Sequence, residues 1–306
     1  MLKSEEIHIR DPFVLVHEGR YYLYGSDGEC CWGEANGFSV YVGCDLENWE
    51  GPFEVFHNDG TFWADRHYWA PEVHPYRGSF YMFASFKRDG VRRGTQILSA
   101  GSPLGPFRPI SEGPVTPADW ECLDGTLYVA LDGTPYIVFC HEWVQIRDGT
   151  ICAMQLTEDL RAPAGEPQVL FRASEAGNWV TDIDRTDPQA PPAFVTDGPY
   201  LYRCQNGELL MIWSSFGTDG YVQAVARSDN GEITGHWTQD REPLFRRDGG
   251  HGMLFRTLEG ELCLTLHAPN VPPRERPVFY RIRETDGRLL LGERRTRARQ
   301  TEDVDS

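Results

Sequence analysis

Residues 11–27 read DPFVLVHEGRYYLYGSD: a short apolar strand, a polar turn closed by Gly19, and a second strand rich in aromatics. The phrase returns four times, as APEVHPYRGSFYMFASF at 70–86, DGTLYVALDGTPYIVFCHE at 124–142, DGPYLYRCQNGELLMIWSSF at 197–216 and HGMLFRTLEGELCLTLHAP at 251–269. Gly19, Gly78, Gly133, Gly207 and Gly260 fall at equivalent places, where a hairpin turn needs a residue that tolerates positive φ. Behind four of the hairpins comes a further strand and a closing phrase, such as FSVYVGCDLENWEGPF or VQAVARSDNGEITGHWTQDREPLF, and a weaker one, PVFYRIRETDGRLLL, follows the fifth. Units of about 45 to 75 residues with three or four strands each are the size of a propeller blade. A β-sandwich also spaces its strands regularly, but it has no reason to repeat one hairpin in one register five times. The expectation is therefore all-β, a single five-bladed β-propeller over residues 1–292, with a charged tail at 293–306.

Composition agrees. Nine Trp, thirteen Tyr and sixteen Phe beside 31 Gly and 21 Pro suit many short strands joined by tight turns. A formal net charge of −17, from 29 Lys and Arg against 46 Asp and Glu, argues against a nucleic-acid partner and disfavours polyanionic substrates. The amino-terminal MLKSEEIHIRDP lacks the apolar core of a secretory signal, and no run approaches the roughly 18 apolar residues of a membrane span, so a cytoplasmic protein without membrane association is expected. The eight cysteines show no Cys-x-x-Cys pair and several sit in apolar strand-like runs, which points to reduced core thiols.

In a propeller the innermost strand of each blade faces the axial channel, so residues that open these strands converge although they are remote in sequence. By the hairpin alignment they are Asp11, Ala70 (after Trp69), Asp124, Asp197 and His251. Carboxylates gathered at one mouth repel and raise one another's pKa. Inverting glycoside hydrolysis uses such a group, one carboxylate deprotonating a water and a carboxylic acid protonating the departing oxygen. Taken alone, each Asp reads equally well as turn chemistry, Trp69 and Trp32 as core packing, and His251 as a channel residue satisfied by backbone.

The phrases RDPFVL, WAPEV, LDGTLYV with ALDGTPYIVF, VTDGPYLYR and GHGMLF, in this order from about residue 7 to residue 284, resemble the blade openings of family 43 glycoside hydrolases. The resemblance implies Asp11 as general base, Asp124 as the carboxylate that tunes the acid and orients substrate, and Asp197 as general acid. It also implies Trp69 in the sugar-binding floor and His251 on the channel axis, where the family often holds a calcium or sodium ion with water; Trp32 is a further candidate for sugar stacking. No cofactor is expected for the chemistry itself, and the implied partner is an oligosaccharide. The implied activity is that of an exo-acting α-L-arabinofuranosidase or β-D-xylosidase. One departure stands out: the family usually has Glu before the Gly-Pro of the fourth blade, where this chain has Asp197, a side chain one methylene shorter. Asp182, Asp184 and Asp187 in the preceding loop, and Glu142, are alternative acids. Two rival functions remain, a glycoside phosphorylase served by the basic stretch KRDGVRR from Lys87, and a sugar-binding propeller without catalysis.

Overall fold

The computed structural model describes residues 1–184, 186 and 189–295. Five antiparallel sheets follow one another along the chain, each with its strands in sequence order from the channel outward, as the repeat predicts for five propeller blades. Blade 1 consists of Ile9–His17, Arg20–Asp27, Gly37–Gly43 and Asn48–His57, and the terminal pair Leu2–Lys3 adds an outermost strand. Blade 2 runs through Arg66–Tyr76, Ser79–Arg88, Val91–Ala100 and Arg108–Pro109, and blade 3 through Cys122–Val129, Pro135–His141, Thr150–Gln155 and Gln168–Arg172. Asp197–Arg203, Leu209–Gly217, Gly220–Ser228 and Trp237–Gln239 form blade 4; Gly250–Arg256, Leu262–Ala268, Arg276–Thr285 and Arg288–Arg294 form blade 5. The five hairpin glycines all have positive φ, between 72° and 94°.

The last strand continues through Glu293 and Arg294, past the expected boundary at residue 292, and Arg295 pairs with Glu261 at 2.8 Å. Ladder pairing and this ion pair hold the segment that the charge pattern assigned to a tail, whose remainder, residues 296–306, lies outside the described residues.

Packing between blades holds the ring together. Side chains alternate along each strand, so one face of every blade meets the next in large aromatic and aliphatic groups. The seam between the last blade and the first is closed without a shared strand. Phe255, Cys263 and Phe279 of blade 5 join Tyr21, Val42 and Trp49 of blade 1 in one buried cluster, and Trp49 stacks on Phe279 with centroids 6.2 Å apart. Polar ties reinforce the seam: Arg10 donates to Glu275 at 2.7 Å, and the Leu258 amide donates to the Tyr21 hydroxyl at 2.7 Å. All eight cysteines are free thiols; six are buried as expected, whereas Cys30 is half-buried and Cys44 exposed.

Candidate active site

Every inner strand carries a bulge at the same place, between Arg10 and Phe13, Trp69 and Glu72, Leu123 and Thr126, Asp197 and Tyr200, and Gly250 and Met253. A bulge re-aims a side chain by inserting a residue that does not pair. In all five blades the first unpaired residue is left-handed: Asp11 (φ 52°), Ala70 (46°), Asp124 (56°), Gly198 (49°) and His251 (50°). This frame corrects the sequence alignment at blade 4. Gly198 is the equivalent of Asp11 and Asp124, and Asp197 occupies the preceding position with Arg10 and Trp69. Matching Asp197-Gly198 to Asp124-Gly125 misplaced the register by one; Pro12, Pro71 and Pro199 are the residues that align.

The bulge amides stitch neighbouring blades into a closed ring. Ala70 donates to Ser26 Oγ and Asp124 to Ser85 Oγ, both at 2.8 Å, and His251 donates to Ser214 Oγ at 2.7 Å. In each case the acceptor is on the second strand of the preceding blade. The equivalent second-strand residues elsewhere are Cys140 in blade 3 and His267 in blade 5, opposite Leu123 and Gly250 in register. Thus Gly198 turns to the Asp124 carboxylate (Oδ2, 3.0 Å), and the Asp11 amide donates to His267 Nδ1 at 3.1 Å. His267 Nε2 in turn meets Asn270 Oδ1 at 3.1 Å. Burial and the nearby Arg10 charge push the His267 pKa down to about 3, so this ring is neutral and its Nδ1 lone pair accepts.

The three aspartates reach one cavity of about 500 Å³ to which all five blades contribute. Arg10, Asp11 and Trp32 come from blade 1, Trp69 from blade 2, and Leu123, Asp124, Glu142, Trp143 and Val144 from blade 3. Ile183 and Val195 come from the loop before blade 4, Asp197, Phe216 and Tyr221 from blade 4, and His251, Asn270 and Pro272 from blade 5. Ile183 thus brings part of the loop before blade 4 to the cavity wall.

Electrostatics separates the carboxylates. Asp11 is buried, which alone would raise its pKa. The neighbouring His251 and Arg10 and a hydrogen bond from Ser26 Oγ to Oδ2 (2.5 Å) outweigh burial and hold it below the usual carboxylate range. His251 Nδ1 stands 3.1 Å from Asp11 Oδ1 and 3.7 Å from Asp124 Oδ2. For Asp197, burial and the Asp124 charge push the pKa up to about 7, against the opposing His251 and a 2.8 Å hydrogen bond from the Tyr221 hydroxyl. Asp124 is also raised, by burial and by Asp11, so the pair titrates as a unit.

The alternative acids are placed less well. Asp184 is ion-paired with Arg147, and Asp182 accepts the Ala193 amide at 2.9 Å; neither lines the cavity. Asp187 lies outside the described residues. Glu142 does line the cavity, with one oxygen on Arg93. Trp69 and Trp32 meet edge to face with centroids 5.3 Å apart, Trp32 more than half exposed at the rim with the Arg10 guanidinium over its ring at 5.1 Å. Among the described residues no cluster of three or more His, Cys, Asp or Glu is arranged to hold a metal ion. His251 directs Nδ1 at Asp11. Arg10, His267, Tyr221 and Ser26 were not singled out by the sequence, although they set the state of the aspartates.

The family model described as glycosyl hydrolases family 43 matches residues 6–287. The chain belongs to family 43. It is a glycoside hydrolase by that membership, and its substrate is a carbohydrate. Among solved structures this family 43 chain is similar to an endo-arabinase from Bacteroides thetaiotaomicron, at 39% identity over 94% of this chain and 98% of that one, with a TM-score of 0.86. It is also similar to a thermostable family-43 glycoside hydrolase, at 25% identity over 95% of both chains, TM-score 0.79. A curated relative is the extracellular exo-α-(1→5)-L-arabinofuranosidase ArbA of Cellvibrio japonicus, 23% identical over 87% of this chain and 80% of that protein.

Proposed function

We propose that this chain is an inverting, exo-acting α-L-arabinofuranosidase, with Asp11 as general base, Asp197 as general acid and Asp124 as the group that raises the acid's pKa. The observation that carries the reading is the opposite displacement of two carboxylates in one cavity, Asp11 below its ordinary range and Asp197 up to about 7. An ionised Asp11 accepts a proton from water as it attacks the anomeric carbon, and the Asp197 proton passes to the departing glycosidic oxygen. Oxygen and proton counts balance: water supplies the new hydroxyl, and its second proton stays on Asp11 until solvent removes it. An arabinoside is favoured over a xyloside by the relatives named for arabinose chemistry. Exo action follows the curated relative, which is named exo-acting, whereas the Bacteroides structure is named an endo-arabinase.

The basic stretch offers little to a phosphorylase. Lys87 and Arg92 pair with Glu121 at 2.8 and 3.2 Å, and Arg93 pairs with Glu142 at 2.5 Å. Arg10, the one Lys or Arg among the described lining residues, is paired with Glu275. A panel of nitrophenyl pentosides and hexosides with and without phosphate, followed by proton NMR of the first-formed sugar, tests the proposal. Phosphate-independent release of arabinose with inverted configuration supports it; retention, or no turnover of any glycoside, overturns it.

A further inference from the structure

On the blade 2 and blade 3 side of the cavity lies a buried array that the three aspartates do not need. Arg93 is buried in the third strand of blade 2, with one guanidinium nitrogen on Glu142 Oε2 at 2.5 Å and another on His67 Nδ1 at 3.0 Å. Its Nε has no hydrogen-bond partner among the described residues. The guanidinium lies 3.9 Å from the Trp69 ring centroid, and the His67 ring stacks on the same indole at 4.7 Å. Two groups in contact with each other cannot flank opposite sides of a ring that both approach this closely, so Arg93 and His67 cover one face of Trp69 and leave the other uncovered by them.

A buried ion pair with an unsatisfied donor is weak as a stabilising device, because desolvation offsets its attraction. It does fix the carboxylate. The Glu142 amide donates to Glu121 O at 2.8 Å, Arg93 holds Oε2, and Oε1 accepts nothing from the described residues while Glu142 lines the cavity. The same lining holds four carboxylates, Asp11, Asp124, Asp197 and Glu142, and a single Arg that is already paired. Such a surface accepts hydrogen bonds and repels anions, so its ligand presents hydroxyl donors.

We propose that Glu142 is a specificity-determining residue whose free carboxylate oxygen accepts a hydrogen bond from a ring hydroxyl of the pentose held against Trp69. This rests on the glycosidase reading and adds to it a hydroxyl receptor outside the base and acid pair. A site built to bond a hydroxyl rejects the analogue that lacks it, because its buried polar group is left unpaired.

The test is a thermodynamic cycle. kcat/KM is measured for wild type and Glu142→Gln on 4-nitrophenyl α-L-arabinofuranoside and on its 2-deoxy and 3-deoxy analogues. In Glu142→Gln the single amide oxygen goes to Arg93 and an NH2, which cannot accept, faces the cavity, so loss of the charge-assisted hydrogen bond predicts a fall of about 10- to 100-fold on the parent sugar. One deoxy analogue should suffer the same fall in wild type and no further fall in the variant. Penalties that add for both analogues, or a variant within threefold of wild type, overturn the proposal. If Glu142→Gln unfolds because Arg93 loses its partner, the cycle is run in Arg93→Met/Glu142→Gln, which removes both charges. Calorimetric binding of L-arabinose separates the two readings. A wild type that binds the sugar but turns over no glycoside, with weakened binding in the variant, sinks the hydrolase mechanism and upholds Glu142; equal binding by wild type and variant sinks Glu142.

Discussion

Gly198→Ala is a small change with a large expected effect. The left-handed backbone at this position is not the obstacle, because Ala70 holds an alanine at the equivalent bulge with φ 46°. The obstacle is His251. A Cβ on Gly198 would lie 2.6 Å from His251 Cδ2, 2.8 Å from Cγ and 3.0 Å from Nε2. Carbon atoms rest at about 3.5 to 4.0 Å, so the imidazole must retreat by roughly 1 Å. Its Nδ1 contact to Asp11, now 3.1 Å, is pulled out of line, and the chief group holding the Asp11 pKa down is displaced. Misplacement of about 1 Å in a catalytic constellation costs on the order of 100-fold in rate, and overpacking of this kind costs about 1 to 3 kcal/mol of stability. The expected variant therefore folds, melts a few degrees lower, and hydrolyses a nitrophenyl arabinofuranoside about 100-fold more slowly, with the acid limb of its pH profile moved upward. Wild-type kcat with an unshifted acid limb would refute the reasoning, for it would mean that His251 does not set the state of Asp11.

Activity should fall as pH rises through about 7, where the pair containing Asp197 loses its proton, and a pH profile of kcat/KM in which Asp197→Asn keeps that alkaline limb on an activated substrate would contradict the assignment. Stability should move in the same direction: between the ordinary 3.8 and about 7 the folded chain holds a proton on Asp197 that the unfolded chain has released, so urea unfolding should show stability declining across that window. Asp11→Asn should lower kcat by about 10² to 10⁴ on activated and unactivated arabinosides alike, because water activation is needed for both; kinetics on the two substrate types would reveal a survivor.

The propeller was legible because its repeat is local: each hairpin carries its own glycine, and five copies in one frame leave little choice of architecture. The convergence of Asp11, Asp124 and Asp197 followed from the same periodicity. The register error at blade 4 arose because Asp-Gly occurs in two different frames, and the prolines at 12, 71 and 199 were the better marker, lacking an amide at the residue after the left-handed one. A signal for His267 was also present, since aligning the second strands sets Ser26, Ser85, Cys140, Ser214 and His267 in one column, where the histidine replaces a serine as acceptor for the next blade. Arg93 was read only as part of a basic stretch and Glu142 only as an alternative acid, and nothing in the sequence paired them. They belong to a third strand and to the turn after a hairpin in different blades, and only the packing of blade 2 on blade 3 brings them together. The contact of His251 with Asp11 was not legible for a related reason, because Asp11 lies across the seam that closes the ring.

Leaving-group dependence in Asp197→Ala tests the central assignment most directly. With arabinobiose, whose departing alkoxide needs a proton, kcat/KM should fall by about 10² to 10⁴; with a 2,4-dinitrophenyl arabinofuranoside, which departs unprotonated, it should stay within about tenfold of wild type. Equal losses on the two substrates would contradict the account.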